Sequence, residues 1–203
     1  MTISERKERE KEQRRQSILS AAETLFARNG LHNTNMDDVA AEAEISKGTI
    51  YLYFKNKDDL FFSVIEAKYE DYLKGLELQL SGSTSLVNAV QRLVNYQLRH
   101  SRNHHHFFRI VMSEQSKGQG STRNELRSRF LHQTAQVLDI VTGQFDSRME
   151  AHHRKQFSAR TLALCVTGII NAHIMSWLIS GKTIDLEKAE TEINNILLMG
   201  IGK

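Results

Sequence analysis

Residues 45–57, I-S-K-G-T-I-Y-L-Y-F-K-N-K, carry lysines at Lys47, Lys55 and Lys57 and no acid, whereas Asp37, Asp38, Glu42 and Glu44 just before them are acidic. Ser46 is a good helix N-cap, since its hydroxyl can accept from the amide of Thr49, and Ile50 and Phe54 lie four apart on one helical face. A short helix of this kind buries Ile50 and Phe54 and displays Lys47, Gly48, Thr49, Tyr51 and Tyr53. Lysines and helix N-terminal amides take phosphates, while hydroxyl and phenol groups reach base edges or backbone oxygens. The chemistry expected here is recognition of double-stranded DNA.

The other chemistry-bearing residues suggest no bond-making. His104, His105 and His106 are consecutive, and helical neighbours point about 100° apart, so they cannot converge on one metal ion; only His100 with His104 has chelating spacing. His152 and His153 sit in a polar stretch. Cys165 lies among apolar residues without a charged neighbour, which reads as a buried, inert thiol. No carboxylate pair, Ser/His/Asp arrangement or Gly-rich phosphate loop stands out. The expectation is a protein that is not an enzyme and has no metal or cofactor. Polar residues inside apolar segments are more informative. Asn171, His173 and Trp177, together with Tyr69, Tyr96, Phe107, Met112 and Phe130, could line an apolar pocket with a few polar anchors, as small-molecule sites generally are. The same residues also suit ordinary core and interface packing.

These residues need a scaffold, and composition indicates which kind. The chain has 203 residues, is 40% hydrophobic and contains no proline, so an all-α protein of one large or two small domains is expected. A net charge of +3 permits nucleic-acid binding without demanding it. One cysteine and a charge-dense N-terminus suggest a reducing, cytoplasmic setting without a secretory signal. Residues 162–179 lack formal charge, but Thr167, Gly168, Asn171, His173 and Ser176 make a core or interface helix a better reading than a membrane span.

In chain order, residues 4–16 alternate charge and read as a solvated helical extension or as a basic arm along DNA. Ile18, Ala21, Ala22, Leu25 and Phe26 form the stripe of a first helix, stopped by Asn29 and Gly30. Asn35 caps a second helix, with Asp38 as the return half of a capping box. Ile45 plugs a tight turn before the third helix. Asn56 starts a fourth that runs to about Leu80, too long to belong only to a small N-terminal bundle. Further helices are expected at about 86–100, 105–116, 121–148, 157–179 and 186–200, with breaks at residues 81–85, at Gly118 and Gly120, around 151–155 and at Gly181. Ile193, Ile196, Leu197 and Met199 form one stripe of the last helix. Together with the apolar helix before it, that stripe exceeds what a small domain can hide, which argues for a partner chain.

The run Gly30, Thr34, Asp38-Val39-Ala40, then Ile45 through Phe54 and Lys55-Asn56-Lys57-Asp58-Asp59-Leu60 resembles the N-terminal domain of the TetR family of bacterial transcriptional regulators. The core S-K-G-T-x-Y-x-Y-F-x-N-K is specific, and the likeness spans roughly residues 10–65. It implies a three-helix helix-turn-helix domain at 1–57 and a helical ligand-sensing and dimerisation domain at 58–203, about nine helices in all. It also implies a homodimer paired through its last two helices on a palindromic operator. Lys47, Gly48, Thr49, Tyr51 and Tyr53 match base- or backbone-contacting positions, Lys57 matches a phosphate-contacting lysine, and Thr34 and Asn35 fall where members cap helix two against a phosphate. Ser46 and Lys55 complete the expected DNA-binding set. Two departures stand out: Glu44 replaces the usual turn glycine, where a positive φ would cost about 1 kcal/mol, and Asp37 stands where some members carry a basic residue. The implied mechanism is repression relieved by a small apolar or aromatic effector. The alternative is a helical ligand- or metal-binding protein, or an enzyme, that kept the fold but lost operator binding.

Overall fold

The structure, a computed structural model, describes residues 2–117, 121–180 and 185–201. The breaks expected at Gly118, Gly120 and Gly181 lie outside the described residues. Ten α-helices and no strand occur among the described residues: α1 Ile3–Asn29, α2 Met36–Glu42, α3 Lys47–Tyr53, α4 Lys57–Ser81, α5 Leu86–Asn103, α6 His105–Lys117, α7 Ser121–Asp146, α8 Ala151–Gln156, α9 Ala159–Ile179 and α10 Leu186–Ile201. The fold is all-α, as composition implies. The chain divides into two compact units, residues 1–70 with 109–123, and residues 71–108 with 124–203. The divisions fall inside α4, α6 and α7.

In the first unit, the charge-alternating segment is the exposed first half of α1 and not a separate element. It opens with a capping box between Thr2 and Glu5 and carries an Arg6–Glu10 pair at 2.8 Å. Ile18, Ala21, Ala22, Leu25 and Phe26 are buried on the predicted stripe. Gly30, at φ 79°, closes the helix with its amide on the Phe26 carbonyl. Asn35 and Asp38 form the expected reciprocal cap of α2.

The end of α2 decides the turn. The Glu44 amide donates to the Ala41 carbonyl at 3.1 Å and the Ile45 amide to the Ala40 carbonyl at 2.9 Å, the paired bonds of a Schellman C-cap. That motif needs a left-handed residue, and Glu44 adopts it at φ 55°. The strained turn is therefore kept without its usual glycine, because it satisfies two carbonyls and aims α3. Ile50 and Phe54 are 0% and 2% exposed, and Phe26 meets Phe61 edge-on at 5.6 Å.

The core of the second unit gathers Leu76 and Leu80 of α4, the stripe Leu86, Ala89, Val90, Leu93, Val94 and Leu98 of α5, and the inner faces of α7, α9 and α10. The last carbonyls of α4 lack helical partners, and two arginines supply them: Arg92 donates to Gln79 at 3.1 Å, and Arg148 to Leu80 at 3.0 Å and Ser81 at 3.3 Å. The polar stretch near 151–155, expected as a break, is instead the short helix α8, which precedes the Ser158 cap of α9.

Two expectations about the last helices need correction. Ile193 and Leu197 do not face outward: they are 0% and 7% exposed, packed in the core of their own unit, and the bare side of α10 carries Ile196 and Met199. Cys165 is exposed and not buried, because it follows Leu164 on the outward stripe that continues through Met175 and Ile179. By length and composition α9 is one helix among the described residues apolar enough to cross a membrane. Its inner face, Leu162, Ala163, Val166, Ile170 and Trp177, packs in the core.

Candidate nucleic-acid interface

At about 100° per residue, the seven residues of α3 are ordered around its axis from buried Ile50 through Lys47, Tyr51, Gly48, Leu52, Thr49 and Tyr53. Lys47, Gly48, Tyr51 and Leu52 are exposed, while Thr49 and Tyr53 are half-buried flanks. Ser46 caps the helix, accepting the Thr49 amide at 3.2 Å and sharing a 2.8 Å hydroxyl contact with Thr49. The outward arc thus holds a cation, a phenol, a bare backbone position and one leucine. Sequence reasoning passed over Leu52, whose signal was its place two residues after the anchoring Ile50.

Lys47 is not free to roam. Its ammonium lies 2.7 Å from the Asp37 carboxylate, and that hydrogen bond, followed by the carboxylate charge, holds its pKa above the usual lysine value. Any phosphate approaching Lys47 must compete with Asp37. Lys57 is fixed differently: it donates to the carbonyls of His32 at 3.2 Å and Thr34 at 3.0 Å, leaving one of its three N–H groups for an outside acceptor. Lys55 is exposed, and its amide is taken by Asp59 at 2.8 Å. The amide oxygen of Asn35 is occupied by the Asp38 N–H at 2.8 Å, so only its NH2 group can donate outward.

Thr34 departs from expectation. Its side chain is 1% exposed, and its hydroxyl donates to the Gly30 carbonyl at 2.9 Å, so it stabilises the α1–α2 loop and presents no hydroxyl to a ligand. The same loop is held by His32, whose ring meets Glu114 of α6 at 3.2 Å, a carboxylate residue only 6% exposed. No local pattern in the sequence pairs these two.

The residues expected to form an effector pocket are distributed over both units. Tyr69 and Met112 belong to the first, where burial pushes the Tyr69 phenol up to about 12. In the second, Phe130 and Asn171 face solvent, whereas Phe107 and Trp177 are buried. His173 is half-buried, its ring on the Ile169 carbonyl at 2.8 Å, and with Ala172, Ser176, Lys188 and Glu192 it lines an open cleft between α9 and α10. Tyr96 stacks on Tyr72 with ring centroids 5.5 Å apart and donates to the Tyr72 carbonyl at 2.8 Å; burial raises its phenol pKa. The packing is close enough to require Gly75, since a Cβ there would stand 2.2 Å from the Tyr96 hydroxyl. Beside them Gln97, 4% exposed, donates to the Tyr72 hydroxyl at 2.8 Å, and its own oxygen is buried with no partner among the described residues. Gln97 was missed because a lone amide among leucines carries no sequence signal of burial. Among the described residues no group of three or more metal-binding side chains gathers.

The family model of bacterial regulatory proteins, tetR family, matches residues 18–64, the stretch that contains α2, the strained turn and α3. The fatty acid metabolism regulator protein of Bacillus subtilis is 22% identical over 185 residues, covering 91% of this chain and 93% of that protein. The transcriptional activator FasR of Mycolicibacterium smegmatis is 23% identical over 179 residues, 88% of this chain and 78% of that protein. The transcriptional regulator FadR from Bacillus subtilis, solved in complex with stearoyl-CoA, superposes with a TM-score of 0.73 at 22% identity, over 92% of this chain and 98% of that one. Residues 18–64 thus match the tetR family of bacterial regulatory proteins in sequence, and over nearly its whole length the chain is similar in fold to transcriptional regulators.

Proposed function

We propose that the protein is a dimeric repressor that binds a palindromic operator through α3 and is released by a small apolar effector. The observation that carries this reading is the outward arc of α3. Tyr51, Gly48 and the Asp37-paired Lys47 are exposed on a helix whose buried residue is Ile50, and they suit a phosphate edge and base edges. Residues 1–57 form the DNA-binding part, with Asn35, Ser46, Thr49, Tyr53, Lys55 and Lys57 bordering the arc, and residues 58–203 sense the effector and dimerise. Two outward faces support a dimer: Leu164, Met175 and Ile179 of α9, and Ile196 and Met199 of α10, 41–74% exposed. A twofold axis would set two recognition helices about 34 Å apart, the spacing of successive major grooves on one side of DNA.

The polar, partnerless oxygen of Gln97 amid aromatic rings supports an effector with an apolar body and a hydrogen-bond donor. A relative solved with stearoyl-CoA makes a long-chain acyl thioester the first compound to test. Effector binding acts through α4, whose residues belong to both units, and it needs only a preference of a few kcal/mol for the non-binding conformer to empty the operator. A gel shift with a palindrome from the protein's own promoter region tests both halves. Retardation that is lost on adding stearoyl-CoA, and kept with CoA alone, is expected; no retardation at any salt concentration would contradict the reading. The activator FasR among the relatives makes the sign of regulation a separate measurement, a reporter assay in which deletion of the protein's gene raises expression from that promoter.

A further inference from the structure

We infer that Leu52 is a specificity-determining residue that reads the C5-methyl group of a thymine in each operator half-site. The inference rests on α3 being the recognition helix. Leu52 is 84% exposed, the most exposed large apolar side chain among the described residues. An exposed leucine is by itself unremarkable; its position gives it meaning. Gly48 lies two residues before the buried Ile50 and Leu52 two residues after it, so both stand about 160° away from the side that fastens α3 to the protein.

Gly48 has no side chain, and a Cβ built there would meet nothing closer than the Ser46 hydroxyl at 3.9 Å. The middle of the outward arc is therefore an open step beside one leucine. Lys47 and Tyr51 border it on one flank, and Thr49 and Tyr53, half-buried, on the other. When the arc enters a major groove, the polar flanks are the groups that suit phosphates and the groove walls, and Leu52 reaches deepest. Isobutyl carbons cannot exchange hydrogen bonds with a base. The apolar feature that the groove presents is the thymine methyl.

The test begins by selecting bound duplexes from a random-sequence pool with the wild-type protein. Each thymine of the enriched site is then replaced in turn by uracil, which removes the methyl and leaves every hydrogen-bonding group. At one symmetric position, uracil in both half-sites is expected to weaken wild-type binding about 16-fold, about fourfold per buried methyl. Leu52→Ala, which leaves the core untouched and should melt as the wild type does, is expected to bind the thymine and uracil duplexes equally. An enriched site at which no uracil matters, or at which Leu52→Ala keeps the full uracil penalty, overturns the role of Leu52 while α3 remains the recognition helix. Failure of the wild type to enrich any sequence would overturn the DNA-binding reading itself.

Discussion

The helices α3 and α9 each leave one face bare, and the two faces differ in kind. The seven residues of α3 bury only Ile50, and its open arc presents Lys47, Tyr51 and a bare backbone at Gly48 around a single leucine. The 21 residues of α9 bury seven, and its open side carries Leu164, Cys165, Gly168, Ala172, Met175 and Ile179, with Arg160, Thr161, Asn171 and Ser176 as its polar members. A face of donors around one aliphatic group is suited to a polyanion whose grooves carry acceptors and methyl groups. Leu164, Met175 and Ile179 on this side each gain about 1.5–3 kcal/mol when withdrawn from water, and another apolar surface supplies that. The two faces thus differ in the class of partner that their chemistry suits.

The inner and outer faces should respond unequally to truncation. Ile50→Ala is expected to lower the stability of the first unit by about 2–5 kcal/mol, whereas Ile196→Ala on the bare face of α10 should change the folded monomer by no more than about 0.5 kcal/mol. Urea unfolding of both variants checks this, and equal effects would erase the distinction. Next in size is the outward stripe of α9. Met175→Glu combined with Ile179→Glu should weaken self-association by more than about 100-fold, on the scale of two apolar side chains left unburied. Sedimentation should then show monomers with unchanged helical content; a surviving dimer would place the interface elsewhere.

On the α3 side, two substitutions should move the salt dependence of DNA binding in opposite directions. Lys57→Ala should lower the slope by about one unit through loss of a phosphate contact, while Asp37→Asn, by freeing Lys47, should raise it by up to about one. Slopes that do not change would deny both lysines a phosphate role. A small gain in stability is expected of Glu44→Gly. Relieving the left-handed turn should stabilise the first unit by about 1 kcal/mol, read as a higher urea midpoint; no gain would mean the turn is unstrained.

Much of the first unit was legible because its signals are local. A cap and its return partner lie three residues apart at Asn35 and Asp38, Gly30 stops α1, and the strain at Glu44 followed from the residue that replaces glycine. What escaped was whatever depends on contacts distant in sequence. The Thr34 hydroxyl turns inward because the Gly30 carbonyl needs a donor, and Glu114 meets His32 across 82 positions of chain. In the second unit, periodicity placed Ile193, Ile196, Leu197 and Met199 on one stripe of α10, whereas Ile193 and Leu197 face the core of their own unit and Ile196 and Met199 face outward, because apolar residues occur on both sides of this helix. The helix α8 carries no apolar stripe and was taken for a break. The divisions inside α4, α6 and α7 leave no mark in composition, because a continuous helix needs no linker.

The central claim, that the open arc of α3 recognises a DNA sequence, is tested most directly by titrating the wild-type protein at physiological salt against its own promoter palindrome and against a scrambled duplex of the same composition. The account predicts binding to the palindrome at least about 1,000-fold tighter, the range of sequence-specific recognition, with a twofold-symmetric footprint. Affinities within about tenfold of each other would reduce the lysines of this surface to non-specific attraction and contradict the account.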